Sequence, residues 1–163
     1  MRAAIASVIL LALAAGTVSA AELALKPLDE GGYNALVKRH AGKVILMDIW
    51  AAWCEPCRAE TPELVKLSRQ LAPKGLAYVT VTIDSPAELS YAEKFLRKSA
   101  SPFPAYYRQS KDADAWVRNV HPQWTGTLPA LFLYDRSGKM ARTFIGATPI
   151  ATLEGAVREL LSR

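Results

Sequence analysis

Hydrophobic positions recur along this chain with two different periods, and the periods divide it into elements. Leu23 to Leu28 reads as a short strand, and Pro27, which cannot donate to a ladder, places it at a sheet edge. Asp29 to His40 carries Tyr33, Leu36 and Val37 at helical spacing, and Gly42-Lys43 then turns the chain. Val44–Trp50 and Leu76–Ile83 are rich in strand formers and lack a polar face, as in strands covered on both sides. One charge, Asp48, interrupts the first of them. Between the two runs, Cys54 to Leu71 sets Leu64, Val65, Leu67 and Leu71 on a helical stripe, with Pro62 inside it and expected to kink it. Strand, long helix and strand make a βαβ unit, so the two strands are expected to run parallel.

The second half alternates in the same way. A helix is expected from Ser85-Pro86 to about Ser99, with Leu89, Phe95 and Leu96 on its apolar face. Ser101 to Pro104 reads as a loop, Ala105 to Arg108 as a short strand, and Asp112 to Val120 as a short helix containing Trp116 and Val117. Ala130–Tyr134 and Lys139–Ile145 are strands joined by Asp135-Arg136-Ser137-Gly138, the chemistry of an antiparallel hairpin. Ile150, Leu153, Val157, Leu160 and Leu161 give a final helix, Pro149 to Ser162, one apolar face. The class is therefore α/β, and no repeat or long linker divides it.

The first residues stand apart. Met1-Arg2 precedes an apolar run from Ala3 to Ala15, Gly16-Thr17 breaks it, and Val18-Ser19-Ala20 offers small residues for cleavage after Ala20, or after Ala21. Residues 1–20 are thus read as a signal peptide and 21–163 as one exported domain. The apolar run is shorter than the roughly twenty residues that span a bilayer, and an uncleaved membrane anchor is the alternative. A net charge of +5 is spread among acids without a basic run, so no nucleic-acid partner is implied. Nothing in the pattern calls for more than a monomer.

Export puts the two cysteines, Cys54 and Cys57, in an oxidising compartment. A disulfide between them closes a loop too small to constrain the unfolded chain much, so redox chemistry explains the pair better than stability does. They follow a buried strand and open a helix. A helix N-terminus carries partial positive charge and free N–H groups, which favour a thiolate at Cys54. Cys57 lies one turn further along, where it can attack a mixed disulfide formed at Cys54. Pro56 suits a first helical turn. Zinc needs four ligands, and His40 and His121 are far apart. Covalent haem needs a histidine after the second cysteine, where Arg58 stands. Neither a metal nor another cofactor is implied.

The run Asp48-Ile49-Trp50-Ala51-Ala52-Trp53-Cys54-Glu55-Pro56-Cys57-Arg58 resembles the active-site strand and helix of the thioredoxin superfamily. Pro62 resembles its helix-kinking proline, and the segment Gly126 to Gly146 resembles the loop and hairpin that hold a cis-proline, at Pro129, opposite the cysteines. The export signal, Glu60 and the extra stretch between Ile83 and Pro129 are similar to the TlpA/ResA-like periplasmic thiol–disulfide oxidoreductases. The resemblance implies a thioredoxin-like fold, a mixed central sheet flanked by helices with a central α/β insertion.

It also implies roles. Cys54 would attack and Cys57 resolve, and Asp48 would take a proton from the second cysteine through water, a role served by a raised pKa. Glu60 would tune the pair. Leu128 would pair backbone to backbone with an extended client segment, a form of strand addition, beside Pro129, with Pro56 and exposed Trp53 completing the client surface. The chain departs from the family pattern in having Asp48 where several relatives have an amide, and Ala130 where threonine is frequent. Trp116 and Trp124 read as core, and Trp50 reads equally as a residue flanking the site or as core. The implied partners are disulfide-bearing client proteins, in cytochrome c or copper-site maturation, and a CcdA/DsbD-like membrane electron donor. Glu55 between the cysteines disfavours strong thiolate stabilisation, which points to a reductant; a disulfide-forming oxidant is an alternative. A copper-binding module using both cysteines and His121 is another.

Overall fold

The computed structural model describes residues 24–102 and 104–163; the expected signal peptide, 1–20, and Leu23 lie outside them. Six strands form one mixed sheet. β1 (Lys26–Leu28), β4 (Tyr106–Arg108), β3 (Leu76–Thr82), β2 (Val44–Trp50), β5 (Ala130–Tyr134) and β6 (Met140–Ile145) lie side by side in that order. The β1–β4, β4–β3 and β3–β2 pairs are parallel, and the β2–β5 and β5–β6 pairs are antiparallel. The expected βαβ unit and hairpin are both present. β1 occupies an edge, as Pro27 requires.

Helices cover both faces because the strands alternate beneath them. Ile45, Met47 and Ile49 of β2 pack with Val79, Val81 and Phe132 beneath α1 (Glu30–Arg39) and α4 (Ala113–Val120). Val44 and Leu46 point the other way, against Leu64, Leu67 and Leu71 of α2 (Glu55–Leu71) and Leu153 and Val157 of α5 (Ile150–Leu161). Every residue of β2 is buried. Trp116 and Trp124 belong to the first cluster, and their indole N–H groups donate to the carbonyls of Leu28 and Thr127 at 3.2 and 2.9 Å.

Local chemistry sets most boundaries. Asp29 and Asp112 cap α1 and α4, each accepting an N–H three residues on. Asp135 organises the hairpin by accepting from the N–H groups of Ser137 and Lys139. α2 continues through Pro62 without a break. α3 (Leu89–Lys98) starts later than the sequence pattern indicates. The Ser85 hydroxyl and N–H both donate to the Glu88 carboxylate, at 2.6 and 3.1 Å, and hold 85–88 as a turn before the helix begins. The insertion between β3 and β5 therefore consists of α3, β4 and α4, and it contributes a strand to the sheet interior between β1 and β3.

Phe132 is fully buried on β5, with the Trp124 ring 5.4 Å away in an edge-on contact. Phe132→Ala is expected to cost about 3–5 kcal/mol of unfolding free energy, measured by urea denaturation of the oxidised protein.

Candidate active site

The C-terminal end of β2 delivers the chain directly into α2. After Trp50 the backbone turns through Ala51–Trp53, and Cys54 becomes the N-cap of α2. The Cys54 Sγ accepts the Cys57 N–H at 3.3 Å, so the sulfur occupies the place of a capping oxygen. Cys54 and Cys57 are joined as a disulfide, with Cα atoms 5.3 Å apart. Both cysteines are buried, Cys54 at 5% and Cys57 at 2% exposure. Pro56 lies in the first turn of α2 and is exposed.

The loop before Cys54 is tied down by a residue that the sequence pattern does not single out. Asp84, just beyond β3, is 2% exposed. Its two carboxylate oxygens accept the Ala52 N–H at 3.0 and 2.8 Å, and it also accepts from the Thr82 hydroxyl. Burial raises its pKa, against the lowering effect of those donors. An acid directly after a buried strand and opposite the cysteine loop is the signal that marks it.

Leu128–Pro129 is a cis peptide. Pro129 is buried, and half-buried Leu128 packs on the cluster that contains Trp50, Cys54, Cys57 and Leu96. The structure thus brings together both cysteines and the cis-proline loop. Trp53, 60% exposed, projects beside them, whereas Trp50 is core and stacks obliquely on Phe95 of α3 at 5.3 Å. Glu55, Arg58 and Pro62 of α2 and Phe95 and Lys98 of α3 line a groove of about 650 Å³, so the insertion shapes the surface next to the disulfide.

Asp48 lies deeper, on the α2 face of β2 between Leu46 and Trp50, and is 3% exposed. The Tyr78 hydroxyl donates to its Oδ2 at 2.6 Å. Burial pushes the Asp48 carboxyl up to about 7; the Tyr78 hydrogen bond opposes this and the Glu60 charge adds to it. Among the described residues Glu60 makes no hydrogen bond to either cysteine. Its Oε1 accepts the Thr148 N–H at 2.7 Å from the loop before α5, and its Oε2 is buried without a hydrogen-bond partner among the described residues. Burial raises the Glu60 pKa as well. What Glu60 reaches is Asp48, through its charge. His121 ends α4 on the other face of the sheet, stacked on Phe132 at 6.0 Å, with its Nδ1 accepting the Gln123 N–H. Among the described residues no three His, Cys, Asp or Glu side chains gather as a metal-ligand group.

A sheet of this order, with a CxxC disulfide opening the helix after its central strand and a cis-proline loop packed beside it, defines a thioredoxin-like thiol–disulfide oxidoreductase. A family model described as AhpC/TSA matches residues 18–143, and the chain belongs to that family. It is 27% identical over 119 residues to the thiol-disulfide oxidoreductase ResA of Oceanobacillus iheyensis, covering 73% of this chain and 58% of that protein. It is 26% identical over 132 residues to ResA of Bacillus cereus, covering 81% of this chain and 72% of the relative. Among solved structures, a putative thiol:disulfide interchange protein DsbE from Chlorobium tepidum superposes with a TM-score of 0.64 at 28% identity, over 77% of this chain and 84% of that one.

The Asp48 carboxyl gives a pH-dependent stability of definite sign. Its folded pKa of about 7 is above the ordinary 3.8, so folding binds this proton more tightly than the unfolded chain does. The associated stability is full below about pH 4 and is lost as pH rises to about 7. In the oxidised protein, Asp48→Asn is expected to exceed the wild type by about 2–4 kcal/mol at pH 8 and to approach it at pH 4, measured by guanidinium denaturation. A difference independent of pH would contradict the buried, neutral carboxyl.

Proposed function

We propose that this protein is an exported dithiol reductant of protein disulfides, acting as a monomer in the periplasm. The observation that carries the reading is the CxxC disulfide placed at the N-cap of α2, with the Cys54 sulfur taking a backbone N–H where a thiolate would be stabilised. In the reduced protein the Cys54 thiolate attacks a client disulfide. A Cys54–client S–S bond forms, and the client's other sulfur leaves as a thiolate. Cys57 then gives its proton to Asp48 through water and attacks the Cys54 sulfur. The Cys54–Cys57 disulfide forms, the second client sulfur leaves, and two electrons have passed to the client. A carboxyl with a pKa of about 7 suits a proton acceptor near neutral pH.

The client is held as an extended segment against the Leu128–Pro129 edge, with Trp53 and Pro56 as apolar contacts. Glu60 tunes the pair through Asp48. A CcdA/DsbD-like membrane donor returns the electrons, and clients on the route to cytochrome c or copper-site maturation fit the resemblance to the TlpA/ResA-like proteins. The support for export is the signal-like pattern of residues 1–20.

Cys57→Ser is expected to accumulate a mixed disulfide with clients through Cys54, seen as a thiol-sensitive adduct on non-reducing gels of periplasmic extract. Cys54→Ser is expected to trap none. The reduced wild type is expected to reduce insulin, and its potential, measured against glutathione, to lie nearer −270 than −120 mV. A potential near −120 mV with no insulin reduction would make the protein an oxidant instead.

A further inference from the structure

Asp48 is surrounded by groups that pull its proton affinity in opposite directions, and one of them lies outside the cysteine helix. In the β2–β3 ladder Leu46 is opposite Tyr78 and Asp48 is opposite Thr80. Tyr78 therefore stands one diagonal step from Asp48 on the same sheet face, a distance that an aromatic side chain spans. Its hydroxyl closes that diagonal at 2.6 Å on Oδ2.

The other groups facing Asp48 can be assigned element by element. α2 presents Glu60, whose charge raises the proton affinity of Asp48. β3 presents, besides Tyr78, the buried hydroxyl-bearing Thr80 opposite Asp48; α5 presents Leu153 and Val157, and β5 presents Leu131 and Leu133, all apolar. The Tyr78 phenol is itself held well above its ordinary pKa by burial and by the neighbouring Asp48, so it remains a protonated donor throughout the range in which Asp48 titrates. A permanent donor favours the charged form of the acceptor.

We propose that Tyr78 is the positioning residue that sets the proton affinity of Asp48, and through it the pH range over which the cysteine pair turns over. The second clause rests on the proton-acceptor role of Asp48 proposed above; the first does not. When Cys57 loses its proton, Asp48 gains it, and the hydroxyl of Tyr78 remains bonded to the same carboxyl group. Tyr78 thus fixes the orientation of the carboxyl and the pH at which it is ready to accept.

The test follows the ¹³C signal of the Asp48 carboxyl carbon in the oxidised protein from pH 4 to 10, where no turnover is needed. Tyr78→Phe is expected to move the midpoint upward by about one unit, a tenfold gain in proton affinity. Glu60→Gln is expected to move it downward. The pH profile of insulin reduction by Tyr78→Phe is expected to shift upward in parallel. A midpoint that stays or falls in Tyr78→Phe overturns the proposal, and a midpoint that moves while the rate profile stays overturns its link to turnover. If the wild type reduces no insulin at any pH while the midpoint moves, the functional reading and that link fall together and the Tyr78–Asp48 coupling stands. Should Tyr78→Phe not fold, replacement of tyrosine by 3-fluorotyrosine, a stronger donor, is expected to lower the Asp48 midpoint, and an unchanged or higher midpoint overturns the proposal.

Discussion

Strand β2 is bonded on both edges and covered on both faces, and the rest of the molecule depends on that enclosure. With β3 parallel on one side and β5 antiparallel on the other, the strand has no freedom of register. Its last residue, Trp50, is locked under α3, so the turn that follows has a fixed origin. Asp84 then ties Ala52 to the end of β3, and two residues later the Cys54 sulfur caps α2. The position of the disulfide is thus set by the sheet, and α2 carries it as a rigid continuation.

The same enclosure makes a carboxyl within it chemically unusual. Asp48 would be an ordinary surface acid on an edge strand. On β2 the low polarity of its surroundings keeps the proton on until near neutral pH. Glu60 on α2 adds negative charge, and Tyr78 on β3 offsets some of this with a hydrogen bond. Three elements thus meet at one carboxyl group.

Much of this was legible in the sequence because it depends on local pattern. The unbroken apolar runs marked the two central strands, the turn chemistry of Asp135–Gly138 marked the hairpin, and a single charge in Val44–Trp50 drew attention to Asp48. The context of Cys54 and Cys57, strand before and helix after, marked the site. The resemblance added the cis bond before Pro129, which no periodicity reveals. What remained hidden depends on contacts between distant segments. Tyr78 reads as one more strand former until the β2–β3 register places it diagonal to Asp48. Asp84 reads as a loop acid until the turn at Ala52 folds over it. The start of α3 was misplaced because a Ser-Pro pair looks like a helix entry, whereas the Glu88 side chain holds that segment as a turn. The contact of Glu60 with the Thr148 N–H was likewise hidden, because the loop before α5 lies almost ninety residues further along the chain.

β1 has its partner in β4, with Lys26 opposite Tyr106, about eighty residues later in the chain. β1 is the first of the described strands, yet it can pair only once β4 of the insertion has formed. Its Leu28 waits for a core completed by Trp116 of the insertion, whose indole donates to the Leu28 carbonyl. Closing so long a loop is slow relative to the local contacts of the β2–α2–β3 unit. The β2–β5 pairing that brings the Leu128–Pro129 loop to the cysteines closes an equally long loop, so the chain's leading strand and the second half of the site both wait on the β2–α2–β3 unit.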